Sequence, residues 1–283
     1  ELTPYLVPRV PYDPSQYEVK QVLYPSKDGT EVSMFIISAR NTVLNGSNPC
    51  FLYGYGGFNI SLTPSYVSEY FCWLENGGIV AIPNLRGGGE YGEAWHKAGM
   101  KEKKQNVFDD FIAAADYLVK NNYTTYQKIV LHGRSNGGLL VGAVMTQRPD
   151  ICAVALPGVG VLDMLRFHKF TIGWAWMTEY GNPDVASDWD YLKKDSPYHN
   201  LKPGLAYPAT MVLTADHDDR VVPAHSFKFG ARLQAYHSGT EPILLRIETS
   251  AGHGAGKSLA RQIAEHTDMY SFVFQQLGMK PRL

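Results

Sequence analysis

The sequence predicts an α/β fold in which a mostly parallel β-sheet is covered by helices on both faces. Short apolar runs alternate along the chain with segments in which apolar residues recur at helical spacing. This alternation is typical of strand–helix–strand units, whose strands pair in parallel and are buried on both sides. The chain has 283 residues, enough for one large domain with a substantial core.

The N-terminal part of the chain predicts an irregular segment followed by a β-hairpin. Residues 1–16 are rich in proline, so we expect a linker that leads into a domain formed by residues 17–283. Two strands are predicted within residues 17–38, on either side of the turn signal Lys27-Asp28-Gly29.

The remaining elements follow from apolar runs and their spacing. The cluster at residues 101–104 is charged but mixed in sign, and we expect it to be the solvated start of a helix. Further strands are predicted at residues 50–53, 78–83, 129–131, 152–156, 210–214 and 243–248, and helices at residues 106–121, 139–146, 223–236 and 259–277.

The composition excludes several classes of function. Lysine and arginine total 26 against 27 aspartates and glutamates, a net charge of −1, so we expect neither nucleic acid nor a membrane surface as a partner. No apolar run approaches the roughly 20 residues that span a bilayer. Cys50, Cys72 and Cys152 lie in apolar contexts, which predicts reduced core cysteines in a cytoplasmic protein.

The segment Gly133-Arg134-Ser135-Asn136-Gly137 is the most informative motif. It matches Gly-x-Ser-x-Gly, and it lies between a predicted strand and a predicted helix. That order is typical of a nucleophile elbow, a tight turn that exposes the central serine near a helix N-terminus. Ser135 is therefore the candidate nucleophile.

A serine nucleophile needs a base and a carboxylate to orient that base. His253 follows the last predicted strand and has small neighbours, which makes it the candidate base. Asp216, Asp218 and Asp219 all follow an earlier strand, and spacing alone does not choose between them. A metal site at these aspartates and His217 is disfavoured, because adjacent residues cannot easily all face one ion.

Acyl transfer also needs donors for the developing oxyanion. The backbone N–H of Asn136, the residue after the nucleophile, is one candidate. Tyr55 lies in a glycine-rich loop after an early strand, and its hydroxyl is the second candidate. Tyr55 could equally be a packing residue.

Four motifs together closely resemble the prolyl oligopeptidase family. They are residues 53–58 (Tyr-Gly-Tyr-Gly-Gly-Phe), 133–138 (Gly-Arg-Ser-Asn-Gly-Gly), 215–223 (Ala-Asp-His-Asp-Asp-Arg-Val-Val-Pro) and 251–257 (Ala-Gly-His-Gly-Ala-Gly-Lys). The resemblance extends from about Tyr17 to the C-terminus. Arg134 departs from it, since many members have glycine there, but the position is a variable one in the elbow.

The resemblance implies an α/β-hydrolase catalytic domain that cleaves short peptides after proline, without a cofactor or metal. It implies Asp218 as the acid, Tyr55 and Asn136 as oxyanion donors, and Arg220 as a ligand of a substrate carbonyl. It also implies a proline pocket with Asn136 at its edge and Trp176 stacked on the proline ring. That pocket would be formed by Phe58, Val161, Trp176, Tyr180 and Val221.

The resemblance further implies parts that this chain lacks. Family members carry a seven-bladed β-propeller and an N-terminal segment in the same polypeptide, so we expect a C-terminal catalytic portion here. Three alternatives remain open. A peptide macrocyclase would transfer the acyl group to an amine, a carboxylesterase would prefer esters, and a binding protein would keep the fold without catalysis.

Overall fold

One eight-stranded sheet runs through the residues that the computed structural model describes, which are 3, 5, 10, 12–254 and 257–282. The strands are β1 (Tyr17–Pro25), β2 (Glu31–Ala39), β3 (Cys50–Tyr53), β4 (Ile79–Pro83), β5 (Ile129–Arg134), β6 (Val154–Gly158), β7 (Ala209–Ala215) and β8 (Ile243–Glu248). Their spatial order in the sheet is β1-β2-β4-β3-β5-β6-β7-β8.

The sheet is antiparallel at one edge and parallel elsewhere. β1 pairs with β2 and β2 pairs with β4 in antiparallel register. The six strands from β4 to β8 along the sheet are all parallel. The predicted mostly parallel sheet is thus confirmed. At the hairpin, the Ser26 N–H bonds Thr30 O and Gly29 adopts a φ of 85°, which glycine tolerates best.

Helices cover both faces of the sheet, as predicted. The helices are α1 (Glu69–Glu75), α2 (Glu93–Lys97), α3 (Gln105–Lys120), α4 (Asn136–Gln147), α5 (Met177–Tyr180), α6 (Ala186–Asp195), α7 (Pro197–Asn200), α8 (Ala224–Tyr236) and α9 (Leu259–Gln276). α3 and α4 pack their apolar residues on one face, with Phe111 and Leu140 among the side chains in that core. α1 and α9 cover the other face, where Trp73 and Val273 are fully buried.

Three expectations need correction. The strand predicted at residues 152–156 lies at Val154–Gly158, because its pairing with β5 begins with Val154 opposite Val130. Cys72 is exposed on the outer side of α1, whereas Cys50 and Cys152 are buried; all three are free. In the charged cluster at residues 101–104, the first three residues are exposed, but Lys104 is only 2% exposed.

Two further findings concern membrane-spanning helices and the N-terminal residues. In the part that the structure describes, no helix has both the length and the apolar character required to cross a membrane. Of the linker expected at residues 1–16, residues 1, 2, 4, 6–9 and 11 lie outside the described residues. Its last residues, Pro14–Gln16, form a 3₁₀ turn that leads into β1.

Candidate active site

The candidate residues follow the carboxyl ends of four parallel strands. Tyr55 follows β3, Ser135 follows β5, Asp218 follows β7 and His253 follows β8. Because β3, β5, β6, β7 and β8 are consecutive in the sheet, their following loops lie along one edge. That edge is where open α/β sheets bind ligands.

Ser135 occupies a strained turn between β5 and α4. Its φ of 59° and ψ of −117° lie outside the regions that non-glycine residues prefer. The Ser135 N–H donates to Gly158 O at 2.9 Å, and the Ser135 carbonyl accepts from the Gly138 N–H at 2.9 Å. A Cβ on Gly133 would lie 2.4 Å from Gly137 O, so the turn can close only with glycine there. Ser135 therefore stands at the N-terminus of α4, as the motif predicts.

Asp218 and His253 form a hydrogen-bonded pair. Asp218 Oδ2 lies 2.7 Å from His253 Nδ1. Asp218 Oδ1 accepts from the backbone N–H groups of Arg220 at 3.0 Å and Val221 at 2.8 Å, and the residue is only 2% exposed. With both carboxylate oxygens occupied, the carboxylate is fixed and directs the other imidazole nitrogen, Nε2, away from itself.

The neighbouring aspartates are placed differently. Asp216 hydrogen-bonds the adjacent His217 at 2.6 Å, and Asp219 is exposed. Geometry thus makes the choice that spacing left open, because Asp218 is the one that bonds His253. Within the described residues, no hydrogen bond joins Ser135 Oγ to His253. Contacts of this kind often tighten only when substrate is bound.

Tyr55 and Asn136 both lie against Ser135. Burial raises the pKa of Tyr55 to about 12, against smaller opposing effects of Arg220 and Ser135. The Tyr55 hydroxyl therefore stays protonated near neutral pH and can donate. Asn136 is the first residue of α4, where backbone N–H groups have no partner within the helix. Both groups can thus donate to an atom bound beside Ser135.

The five residues of the predicted proline pocket lie in one apolar cluster. Val161, Tyr180 and Val221 are buried core residues, and Phe58 and Trp176 pack against that core. Phe58 meets Tyr180 edge to face, with ring centroids 5.4 Å apart and an interplanar angle of 89°. The Tyr180 hydroxyl donates to Asn136 Oδ1 at 2.9 Å. The aromatic pair of Phe58 and Tyr180 is therefore connected directly to Asn136, the residue after Ser135.

Arg220 is exposed beside this cluster. Its positive charge acts to lower the pKa of Tyr55, against the larger effect of burial. Among the described residues, no carboxylate lies within 4.0 Å of its guanidinium. Neither Asp216 nor Asp219, its acidic neighbours in the same loop, therefore forms an ion pair with Arg220.

Arg134, the departure in the elbow motif, connects two elements. Its guanidinium lies 2.7 Å from Glu265 Oε1 of α9, and Lys257 pairs with the other oxygen of Glu265. Burial acts to raise the pKa of the Glu265 carboxyl, but the positive charges and hydrogen bonds of Arg134 and Lys257 outweigh this effect and lower the pKa to about 2. The arginine thereby links the elbow to the segment after His253. Ala255 and Gly256 of that motif lie outside the described residues.

Sequence reasoning missed two buried ionisable residues near the site. Glu179 accepts from the Phe58 N–H at 2.7 Å and bonds His96 Nε2 at 2.8 Å, which fixes the Phe58 backbone at a φ of 57°. Lys104 bonds Asn136. Glu179 is 121 residues from Phe58, so no local sequence pattern could reveal this contact. For Lys104 the sequence offers one weak signal, which is that lysine is an unfavourable residue at the position just before a helix.

Comparisons with known proteins agree with the geometry. The family model described as "Prolyl oligopeptidase family" matches residues 64–280. A prolyl endopeptidase from Elizabethkingia meningoseptica is 56% identical over 277 residues, which cover 98% of this chain and 39% of that protein. This chain therefore spans about two fifths of the length of that relative.

Solved structures show the same fold. A prolyl endopeptidase structure superposes with a TM-score of 0.94 at 48% identity, covering 96% of this chain and 40% of that one. The prolyl oligopeptidase B of Galerina marginata, bound to a 35-residue hydrolysis and macrocyclization substrate, gives a TM-score of 0.93 at 43% identity. That match covers 96% of this chain and 39% of the Galerina chain.

Proposed function

This chain belongs to the prolyl oligopeptidase family, and we propose that it carries the active site of a serine endopeptidase that cleaves short peptides after proline. The observation that carries the proposal is the strained Ser135 elbow on the same sheet edge as the hydrogen-bonded pair of Asp218 and His253. A serine, an oriented histidine and a fixed carboxylate are the parts that acyl transfer requires.

The proposed reaction proceeds through an acyl-enzyme. Ser135 Oγ attacks the carbonyl carbon of the scissile bond while His253 Nε2 takes its proton. Asp218 stabilises the resulting imidazolium, and the oxyanion accepts hydrogen bonds from the Tyr55 hydroxyl and the Asn136 N–H. The imidazolium then gives its proton to the leaving amine. Water, deprotonated by His253, attacks the acyl carbon, and Ser135 leaves with the proton restored.

Selectivity for proline would come from the cluster of Phe58, Val161, Trp176, Tyr180 and Val221. The proline ring is apolar and its nitrogen carries no N–H, so it needs apolar contact rather than a hydrogen-bond acceptor. The Tyr180 hydroxyl already donates its hydrogen to Asn136 Oδ1, so it presents no unsatisfied donor to the proline ring. Trp176 would stack on the ring. Arg220, which has no carboxylate within 4.0 Å in the described part of the chain, would bind a substrate carbonyl.

The test is turnover of a chromogenic amide whose acyl part ends in Gly-Pro, measured with the full-length protein. We expect Ser135→Ala to lose at least about 10⁴-fold in kcat, because the nucleophile is removed. The exposed Ser187 supplies a matched control, and Ser187→Ala should turn over normally. Wild-type-like activity in Ser135→Ala would refute the proposal, and equal turnover of the Gly-Ala amide would refute the proline pocket.

A second candidate is macrocyclisation by the same acyl-enzyme, with an amine in place of water. It is favoured by the match to the Galerina enzyme, whose structure contains a hydrolysis and macrocyclization substrate. Product masses from a long precursor peptide distinguish the two, because a cyclic product is lighter by one water than its linear counterpart. A carboxylesterase would instead prefer esters and be indifferent to proline.

We also propose the organisation and location of the whole protein. Residues 17–283 would form the catalytic domain and residues 1–16 a linker. A β-propeller and an N-terminal segment would lie in the same polypeptide outside this chain, in keeping with the 39% coverage of the bacterial relative. Three free cysteines favour a cytoplasmic location, since disulfides are rare there.

A further inference from the structure

Lys104 is a buried cation behind the proposed oxyanion site. The residue is only 2% exposed. Its Nζ donates to Gly56 O at 2.8 Å and to Asn136 Oδ1 at 3.0 Å. Gly56 follows Tyr55 in the loop after β3, and Asn136 begins α4. One ammonium therefore bonds both segments that carry the proposed oxyanion donors.

The position of Lys104 is unfavourable for folding. Removing an ammonium from water is expensive unless its charge is compensated. Burial lowers the pKa of Lys104 to about 8, although Glu179 and Asp195 act to raise it. Lys104 also lies at the N-terminus of α3, where the helix dipole disfavours a cation and where its side chain makes no capping bond. A role beyond stability would account for such a residue.

The charge of Lys104 is not cancelled by direct contact. In the described ranges, no carboxylate lies within 4.0 Å of its Nζ, and both acceptors are neutral oxygens. In a buried site, the field of such a charge is weakly screened. It therefore favours negative charge that develops beside Asn136 and Tyr55.

The contacts of Asn136 make this arrangement rigid. Its Oδ1 accepts from Lys104 and from the Tyr180 hydroxyl, and its Nδ2 donates to Tyr55 O at 2.5 Å. Gly56 has a φ of 60°, and a Cβ there would lie 2.3 Å from Val107 Cγ1, so the loop is packed tightly on α3. Movement of Lys104 would disturb both donors at once.

We propose that Lys104 is a positioning residue that locks the Tyr55 loop to Asn136 and supplies positive charge behind the oxyanion. The inference rests on the function proposed above. Its effect is confined to the transition state, because the substrate carbonyl carries little negative charge before attack. Loss of Lys104 should therefore lower kcat and leave KM nearly unchanged.

The first test is Lys104→Met in the full-length protein, which keeps a long apolar side chain but removes the charge and the donors. We expect kcat for the Gly-Pro amide to fall about 10- to 100-fold, with KM within about twofold. Lys103→Met is the matched control, because Lys103 is exposed one residue away. It should behave like the wild type.

Inhibitor affinity separates this role from general loss of structure. A peptide aldehyde ending in proline forms a tetrahedral adduct with the serine, whereas the corresponding peptide acid forms none. For Lys104→Met we expect aldehyde affinity to fall by the same factor as kcat/KM, and acid affinity to stay within about twofold. Equal losses for both ligands, a change in KM alone, or unchanged kcat would overturn the proposal.

A third measurement uses the wild-type protein and does not depend on folding of the variant. If the Lys104 charge assists, kcat should fall as pH rises through about 8. Glu179, Tyr180 and Asp195 face the same ammonium, and burial raises the pKa of Asp195 to about 7. Asp195→Asn should therefore retain the decrease in kcat as pH rises through about 8. A flat wild-type profile up to about pH 9.5, or loss of the fall in Asp195→Asn, would overturn the proposal.

The two proposals fail in distinguishable ways. Full turnover by Ser135→Ala would contradict the proposed function itself. If Ser135→Ala is inactive and Lys104→Met has wild-type kcat, only the role of Lys104 is refuted.

Discussion

At the residue scale, strained backbone concentrates around the candidate site. Phe58, Ser135 and Val159 have φ values of 57°, 59° and 40°, although none is glycine. Each such residue costs roughly 1–3 kcal/mol, and positive φ is most unusual for a β-branched residue such as Val159. Ser135 donates its N–H to Gly158, next to Val159, so two of these residues support one turn. The backbone at these three positions would favour glycine, so the side chains of Phe58, Ser135 and Val159 account for the presence of these residues there.

Asp218→Asn tests the role of the carboxylate. An amide in this place would donate to His253 Nδ1 instead of accepting from it, leaving the imidazole in the tautomer that cannot take the Ser135 proton. We expect kcat to fall about 10³- to 10⁴-fold with little change in KM, measured on the Gly-Pro amide. Asp219→Asn, one residue along and exposed, should retain activity. The reverse pattern would show that the assignment is wrong.

Sequence could predict this site only in part. The proposed nucleophile and base could be selected from sequence because Ser135 lies in a local motif and His253 follows a strand. The proposed acid could not be selected from spacing, because three aspartates share one loop. What distinguishes Asp218 is a turn in which its Oδ1 accepts from the N–H groups of Arg220 and Val221, which points Oδ2 at His253.

At the element scale, the strands were predictable and several helices were not. β3 and β8 both have the expected bounds. β3 is a buried parallel strand and therefore a nearly continuous apolar run, whereas β8 is a partly exposed edge strand that its apolar residues Ile243, Leu244 and Leu245 still mark. α2, α5 and α7 have only four or five residues each. Helices this short are unstable alone and depend on tertiary packing, so their sequences carry little helical periodicity.

Strand β5 contains a histidine that should make the fold sensitive to acid. His132 is buried, its Nδ1 bonds Leu156 O at 3.0 Å, and burial lowers its pKa to about 4. Between pH 6.5 and about 4, the unfolded chain binds a proton that the folded protein excludes. The free energy of unfolding should therefore decrease as pH falls through this window, by at most roughly 3 kcal/mol from this residue.

His132→Asn removes the titrating group and keeps a donor for Leu156 O. We expect the difference in unfolding free energy between pH 7 and about 4.5, measured by urea denaturation, to be smaller in this variant than in the wild type. Val130→Ala, at a fully buried residue of the same strand that does not titrate, is the control: it should lower the unfolding free energy but keep the wild-type pH difference. An identical pH dependence in His132→Asn would contradict the assigned cause.

At the scale of the whole molecule, the site depends on contacts between distant parts of the chain. Phe58 and Glu179 are 121 residues apart, and Arg134 and Glu265 are 131 apart. A single sequence contains no record of such pairs, because nothing in the residues around Phe58 or Arg134 points to a partner so far along the chain. This is also why Lys104, in a cluster of charged residues, was expected to be solvated. The fold class was predictable because strand and helix patterns are local.

The most direct test of the central claim is covalent labelling of the folded full-length protein with a fluorophosphonate, followed by peptide mass mapping. Only a serine activated by a base reacts readily with this probe. We expect one label per chain, on Ser135, and parallel loss of Gly-Pro amide turnover. Full loss of turnover with the label on another residue, or unmodified Ser135 in a fully active protein, would contradict the account.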